Sequence, residues 1–375
     1  MSVVQEKYKQ QFLQDGMEEE CAESYSGLAS SAVDKGRENN FLAEKSSFIK
    51  RLNGMVDGNH EAFIKLLNDG SKKLDILHED IFNRVEDFSL LQDLAEKHDR
   101  ECDLELNNNV RGYRLNSYRS IERKLDGINN GIQIYAADPN VGKSATLSSL
   151  AIDLLRSNST PKILFYTIDD EKSEIYDRML AICSDRPINV VNRKRNKMDE
   201  EAVQKAYCEL IGYGNAKRLF IYDSQSFKNA KQLCSHISKV REELDNLIVF
   251  IDGVTNLSVE GKTLEERGTN MALMLHNVWK PTATSSGFPL IISNELKKRD
   301  AGRKPKKSDI KGSTKWEFVA KCVFLLYAED EDDFNNKKNM NVIFNLDKNK
   351  FSHHKGAMAM EFKPERSMFV DSEWN

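Results

Sequence analysis

The sequence predicts an α/β fold, a mostly parallel central sheet carrying a phosphate-binding loop, preceded by a small all-helical N-terminal domain. Three observations predict it. From residue 121 onward, short β-type runs alternate with helix-length stretches, the pattern of successive βαβ units. One of those runs feeds directly into a Gly-Lys-Ser loop that is followed by small, helix-forming residues. Residues 1–104, by contrast, are polar, lack proline and carry only weak helical periodicity.

The N-terminal 104 residues read as helices of weak apolar periodicity on segments such as Ala62–Leu67 and Ile81–Leu91; in the second, apolar residues recur at spacings of three and four and give one buried face. Asn53-Gly54, Asp57-Gly58 and Asp69-Gly70 divide them into pieces. Residues 105–120 read as a linker, because Asn107-Asn108-Asn109 followed by Gly112 terminates a helix. Residues 121–375 form the second domain. Its β-type runs are Ile132–Tyr135, Lys162–Ile168, Arg218–Tyr222, Leu247–Asp252 and Phe288–Ser293, with helical stretches between them at Lys228–Leu244 and Leu264–Trp279. Two later runs, Cys322–Tyr327 and Met340–Leu346, lack intervening helices and are expected to be antiparallel edge strands.

Composition bounds the function. A chain of 375 residues with 39% hydrophobic and 30% charged residues is long enough for two domains and a sizeable core. No apolar run approaches the roughly 18 residues that would span a membrane, and the first residues lack an apolar signal core. The six scattered cysteines include no Cys-x-x-Cys pair, which argues against a zinc site or disulfide framework and for a reducing cytosol. A net charge of −4 argues against a surface coated in positive charge, so any nucleic-acid contact is sought in local basic loops.

The chemistry centres on Ala137-Asp138-Pro139-Asn140-Val141-Gly142-Lys143-Ser144-Ala145. Backbone N–H groups and the positive end of the following helix would cradle a β-phosphate. Lys143 would reach the β- and γ-phosphates, and Ser144 would hold Mg²⁺. Ala137 stands where the motif has its first glycine, which is tolerable wherever φ stays negative. Leu247–Asp252 is an apolar run ending in a carboxylate, so Asp252 is the expected second Mg²⁺ residue. Asp169, at the end of the Lys162–Ile168 run, is the expected base for the attacking water, with Asp170 and Glu171 as N-terminal helix charges. Asn294 ends a further strand and is placed to hydrogen-bond the γ-phosphate or that water.

Lys297, Lys298, Arg299, Arg303, Lys304, Lys306 and Lys307 crowd one Gly- and Pro-containing loop with a single acid, Asp300. Such a loop can track a single-strand phosphate backbone. Gly253–Lys262 is a second candidate for nucleic-acid contact, with weaker chemistry. His353-His354 lacks further ligands nearby and reads as a solvated pair, and the acidic run Glu329–Asp333 as a loop tip.

Taken in order, these pieces resemble the RecA-fold core of the DnaB-like replicative helicases, a hexameric ring family that includes many phage helicases. The resemblance covers roughly residues 121–365. Leu125-Asp126-Gly127, the Walker A segment Asp138–Ser144, Phe165–Asp169 followed by Arg178-Met179-Leu180-Ala181, Leu219–Asp223, the Walker B Ile251-Asp252-Gly253, Lys304–Ser313 and Val319–Tyr327 stand in family order. Asp347-Lys348-Asn349-Lys350 falls where the family has a Lys-x-Arg that reaches into the neighbouring subunit's site. The resemblance implies a RecA-like P-loop core, ATP and Mg²⁺, single-stranded DNA, a homo-hexameric ring, contacts with primase or loader proteins, and the cytoplasm of a bacterial or phage-infected cell. Lys348 and Lys350 are then catalytic in trans. The chain departs from the family in Asp169, where a glutamate is usual, and in Lys350, where an arginine is usual. Lysine supplies charge without a bidentate fork, which predicts slow turnover. A RecA-fold ATP-binding regulator or loader with weak or no unwinding is the alternative, and a small-molecule kinase shares only the phosphate loop.

Overall fold

The computed structural model describes residues 110–193, 196–227, 229–280, 287–299, 303–328 and 340–372. They belong to the compact unit Asp99–Asn375; the helices expected in residues 1–104, the acidic run Glu329–Asp333 and the tip of the basic loop, residues 300–302, lie outside the described residues.

The described chain opens with α1 (Arg119–Leu125) and then alternates β1 (Gly131–Ala137), α2 (Lys143–Ser157), β2 (Lys162–Thr167), α3 (Lys172–Ser184), the short α4 (Ile188–Val191), α5 (Lys197–Asn215), β3 (Leu219–Tyr222), α6 (Ala230–Glu243), β4 (Leu247–Asp252), α7 (Leu264–Trp279) and β5 (Pro289–Glu295). It closes with α8 (Lys315–Val319), β6 (Cys322–Ala328), β7 (Met340–Asn349), β8 (Gly356–Lys363) and β9 (Met368–Asp371). The strands form one nine-stranded sheet in the order β3-β2-β4-β5-β1-β6-β7-β8-β9. Every pairing from β3 to β6 is parallel, and those from β6 to β9 are antiparallel.

The last part corrects the sequence reading. β6 is neither antiparallel to β1 nor an edge: it pairs parallel with β1, Gln133 opposite Cys322, and its first five residues are buried. Among the described residues its return crossover holds a 3₁₀ turn, Lys307–Asp309, and the short α8 but no long helix, so the helix signal that normally marks a parallel connection is missing. β7 is antiparallel as expected but interior, flanked by β6 and β8.

Alternation along the parallel strands sorts side chains onto two faces. Tyr135, Phe165, Phe250, Ile291 and Phe324 pack beneath α2 and α3, while Ile134, Tyr166, Ile251, Ile292 and Val323 pack beneath α6 and α7. The chain before α1 belongs to this core too. Tyr113 bridges Ile128, Leu115 is fully buried, and Ser117 N–H donates to Asp153 on α2 at 3.0 Å. The registers Thr167–Asp252, Ala136–Asn294 and Ala137–Glu295 bring the carboxyl ends of β1, β2, β4 and β5 to one edge, where α/β sheets bind ligands.

Candidate nucleotide and nucleic-acid site

The phosphate loop runs from the end of β1 to the start of α2. Ala137 is buried and its φ is not positive, which is why alanine serves at the motif's first position. Gly142 has φ +97°, and a Cβ there would lie 2.9 Å from the Phe369 ring, so glycine is required on both counts. Val141 and Ala145 are buried anchors, while Pro139 and Asn140 form the exposed lip. α2 begins with no side-chain cap and no acidic residue in its first turn. Its first N–H groups and dipole therefore stay available to an anion.

Lys143 Nζ donates to the carbonyls of Asp138 at 3.1 Å and Ala137 at 3.4 Å. Burial lowers its pKa, opposed by the carboxylates of Glu295, Asp252, Asp138 and Asp169. Asp252 is 5% exposed and accepts from Ser293 Oγ at 2.5 Å and from the Ser144 hydroxyl; burial raises its pKa and both hydroxyls pull it back. Ser144 and Asp252 thus converge on one point at the mouth of the loop, a hydroxyl and a carboxylate suited to a hard cation.

Asp169 sits beside this pair. Its Oδ1 accepts from Asn256 Nδ2 at 2.7 Å, and its pKa is raised by burial against that hydrogen bond. Its carboxylate lies over Gly253, where an added Cβ would stand 2.5 Å from Oδ2. Asp170 pairs with Arg178 at 3.0 Å, and Glu171 caps α3 in a capping box with Glu174. Asn294 is 1% exposed, and neither its amide nitrogen nor its amide oxygen finds a partner among the described residues. A buried amide with both ends unmet costs free energy, and a ligand at the carboxyl edge of β5 would satisfy it.

Lys348 and Lys350 are not brought to this edge. Lys350 N–H donates to Lys321 O, and Lys321 N–H in turn to Ile132 O, so Lys350 lies level with Ile132. That is five residues before Ala137, about 17 Å at about 3.3 Å per residue and beyond the reach of a lysine. Lys348 Nζ donates to Glu317 O, and burial, helped by Lys350 and Lys307, lowers its pKa to about 8.

The basic segment is anchored by its own backbone: Leu296 bridges Ile310, and Lys297 N–H donates to Asp309 O at 2.7 Å. Lys298, Lys304 and Lys306 are exposed. Lys297 Nζ donates to Ser308 O at 3.3 Å. The half-buried Lys307 opens a short 3₁₀ turn, Lys307–Asp309. Arg303 pairs with Asp309 at 2.7 Å. Arg299, its side chain only 9% exposed, grips Asp138 of the phosphate loop with both terminal nitrogens, at 2.6 and 3.2 Å.

Sequence reasoning missed Ser293, Asn256 and the Asp138–Arg299 pair. Ser293 was legible as the polar neighbour of Asn294 ending an apolar strand. Asn256 lies in the loop read as a weaker nucleic-acid contact, and nothing local points it at Asp169.

The sequence profile of the DnaB-like helicase C terminal domain matches residues 115–371. The replicative DNA helicase DnaB of Mycoplasma genitalium is 24% identical over 262 residues, 66% of this chain and 54% of that protein, so the chain spans about half the length of this curated relative. Among solved structures, one described as an ATPase domain superimposes with a TM-score of 0.63 at 18% identity, covering 76% of this chain and 99% of that one. A DnaB-like replicative helicase, described together with its interactions with primase, gives 0.61 at 16% identity, covering 94% of this chain and 77% of that one. These likenesses carry the RecA-like ATPase fold, and the profile match across most of the chain carries the family. The chain belongs to the DnaB-like helicase C-terminal domain family.

Proposed function

We propose that the chain is an ATP-hydrolysing motor of the DnaB-like type that moves along single-stranded DNA during replication. The observation that carries the reading is Asn294, a buried amide with no partner among the described residues. It stands opposite Ala136 at the root of the phosphate loop and three residues before the first lysine of the basic loop. A γ-phosphate or its attacking water supplies the missing partner and links the two loops.

In this reading Lys143 leaves the Ala137 and Asp138 carbonyls for the β- and γ-phosphates of ATP, and the first N–H groups of α2 close around the β-phosphate. Ser144 and Asp252 would hold Mg²⁺, which when bound neutralises charge on the β- and γ-oxygens. Asp169, oriented by Asn256, accepts the proton of the attacking water. Lys348 and Lys350, too far from their own chain's loop, serve the site of a neighbouring copy, which calls for a closed ring. The family's hexamer is the proposed assembly, with primase or loader proteins as proposed partners and the cytoplasm as the proposed setting. Among the described residues no helix is long and apolar enough to cross a membrane.

The test is steady-state ATP hydrolysis with and without single-stranded DNA, run beside Lys143→Ala. Strong stimulation by DNA, lost in the variant, supports the motor. Binding of ATP without DNA-stimulated turnover sinks it and leaves a nucleotide-switched regulator or loader. Sedimentation with ATP and Mg²⁺ tests the ring separately.

A further inference from the structure

The ion pair between Asp138 and Arg299 joins the two halves of the site. Asp138 belongs to the phosphate loop. Arg299 belongs to the basic segment after β5, 161 residues later. The arginine uses both terminal nitrogens on one carboxylate, the geometry of the strongest and most directional ion pairs, and its side chain is nearly shielded from water. Arg299 Nε also donates to Arg303 O at 3.4 Å, and Arg303 holds Asp309, whose carbonyl accepts from Lys297 N–H. A continuous chain of polar contacts therefore runs from the phosphate loop through the basic segment. A second link runs beside it, where Leu296 N–H donates to Ala137 O at 3.2 Å.

The other end of Asp138 faces the nucleotide machinery. Its backbone carbonyl accepts from Lys143 Nζ while its carboxylate holds Arg299. A phosphate that draws Lys143 away removes the contact on one side of the residue and leaves the contact on the other. Arg299 is thus attached to a loop residue whose backbone environment must change when a phosphate arrives.

We propose that Asp138 and Arg299 are positioning residues: their ion pair is a tie that makes the basic loop follow the state of the phosphate loop, so that bound nucleotide sets the affinity for single-stranded DNA. The proposal rests on the reading that ATP and single-stranded DNA are the two ligands. It makes Arg299 a mechanical element rather than a phosphate contact, unlike the exposed lysines around it.

The test has two arms, both on the full chain. Without any ligand, trypsin cleavage within residues 297–307 is followed for wild type and Asp138→Asn. The tie requires faster cleavage in the variant, and equal rates overturn it. In the second arm a fluorescent oligo-dT is titrated with and without a non-hydrolysable ATP analogue, and the ratio of the two affinities is taken. Wild type should show a ratio of roughly fivefold or more. Asp138→Asn and Arg299→Gln should each bring it towards one, and the exchanged pair, Asp138→Arg with Arg299→Asp, should recover it. A purely structural role would lower thermal stability and both affinities together with the ratio intact. A purely DNA-contacting Arg299 would weaken binding equally in both states, with Asp138→Asn silent. Either result overturns the proposal, as does a wild-type ratio of one with both ligands bound. Failure of the protein to bind the analogue or the oligonucleotide at all overturns the underlying reading instead, while the trypsin arm still reports on the tie.

Discussion

Replacing Gly253 by alanine tests the assignment of Asp169 as the base more sharply than replacing Asp169 itself, because it moves the carboxylate without removing it. Gly253 follows Asp252 with φ +81°, and the new Cβ would stand 2.5 Å from Asp169 Oδ2 and 2.8 Å from its Cγ. Real Cβ contacts do not fall below 3.0 Å, and ordinary contact begins near 3.4 Å, so the carboxylate must retreat by roughly 0.5–0.9 Å. The retreat stretches the 2.7 Å hydrogen bond from Asn256 that orients it. A misplacement of about 1 Å at a reacting group costs on the order of 100-fold, so a fall of roughly 10- to 100-fold in kcat is expected. KM for ATP should change little, because the phosphate loop is untouched. The left-handed backbone adds about 1–2 kcal/mol of strain, visible as a lower urea midpoint but not as a loss of fold. The assay is DNA-stimulated ATP hydrolysis resolved into kcat and KM, with analogue binding as a control. If kcat stays within about threefold of wild type while the protein is folded, Asp169 is not the group that activates the water.

Further outcomes are expected elsewhere. Asn256→Ala removes the main hydrogen bond holding down a carboxylate that burial already raises, so the acidic limb of the kcat profile should move to higher pH; an unmoved limb would dissociate Asn256 from the chemistry. Lys348 falls from an ordinary 10.5 to about 8. Between those values the unfolded chain holds the proton more tightly than the folded one, so this residue makes stability rise with pH across the window, and Lys348→Met should flatten that rise in urea titrations. Lys350→Arg restores a planar fork and should raise DNA-stimulated turnover; a slower variant would deny that Lys350 meets a phosphate. Phe324→Ala, which deletes a fully buried ring stacked on Tyr135 at 4.7 Å, should cost about 3–5 kcal/mol by urea denaturation.

Legibility in the sequence followed covalent distance. The residues of the phosphate loop are contiguous, and Asp252, Asp169 and Asn294 each end an apolar run, so chain order alone placed all of them on one sheet edge. The direction of β6 was not legible, because an apolar run reads the same whichever way it pairs and the chain before it lacks the helix that announces a parallel crossover. The tie between Asp138 and Arg299 was illegible for another reason. A basic run reads as a uniform solvated loop, and only the folded register shows that one of its arginines sits under the phosphate loop while Lys298 and Lys304 face water.

The late strands carry a consequence for biosynthesis. The wall behind Gly142 is the stacked pair Phe362 and Phe369, from β8 and β9. β9 is fastened to the start of the domain, Asp371 accepting from Ser120 N–H and Oγ at 2.8 and 2.7 Å and Phe369 O from the Tyr118 hydroxyl at 2.8 Å. A nascent chain on the ribosome therefore makes its phosphate loop long before it makes the wall against which that loop is set. Until translation has passed Asp371 the phosphate loop lacks that wall, and under the proposed function competence to bind ATP arrives with β9.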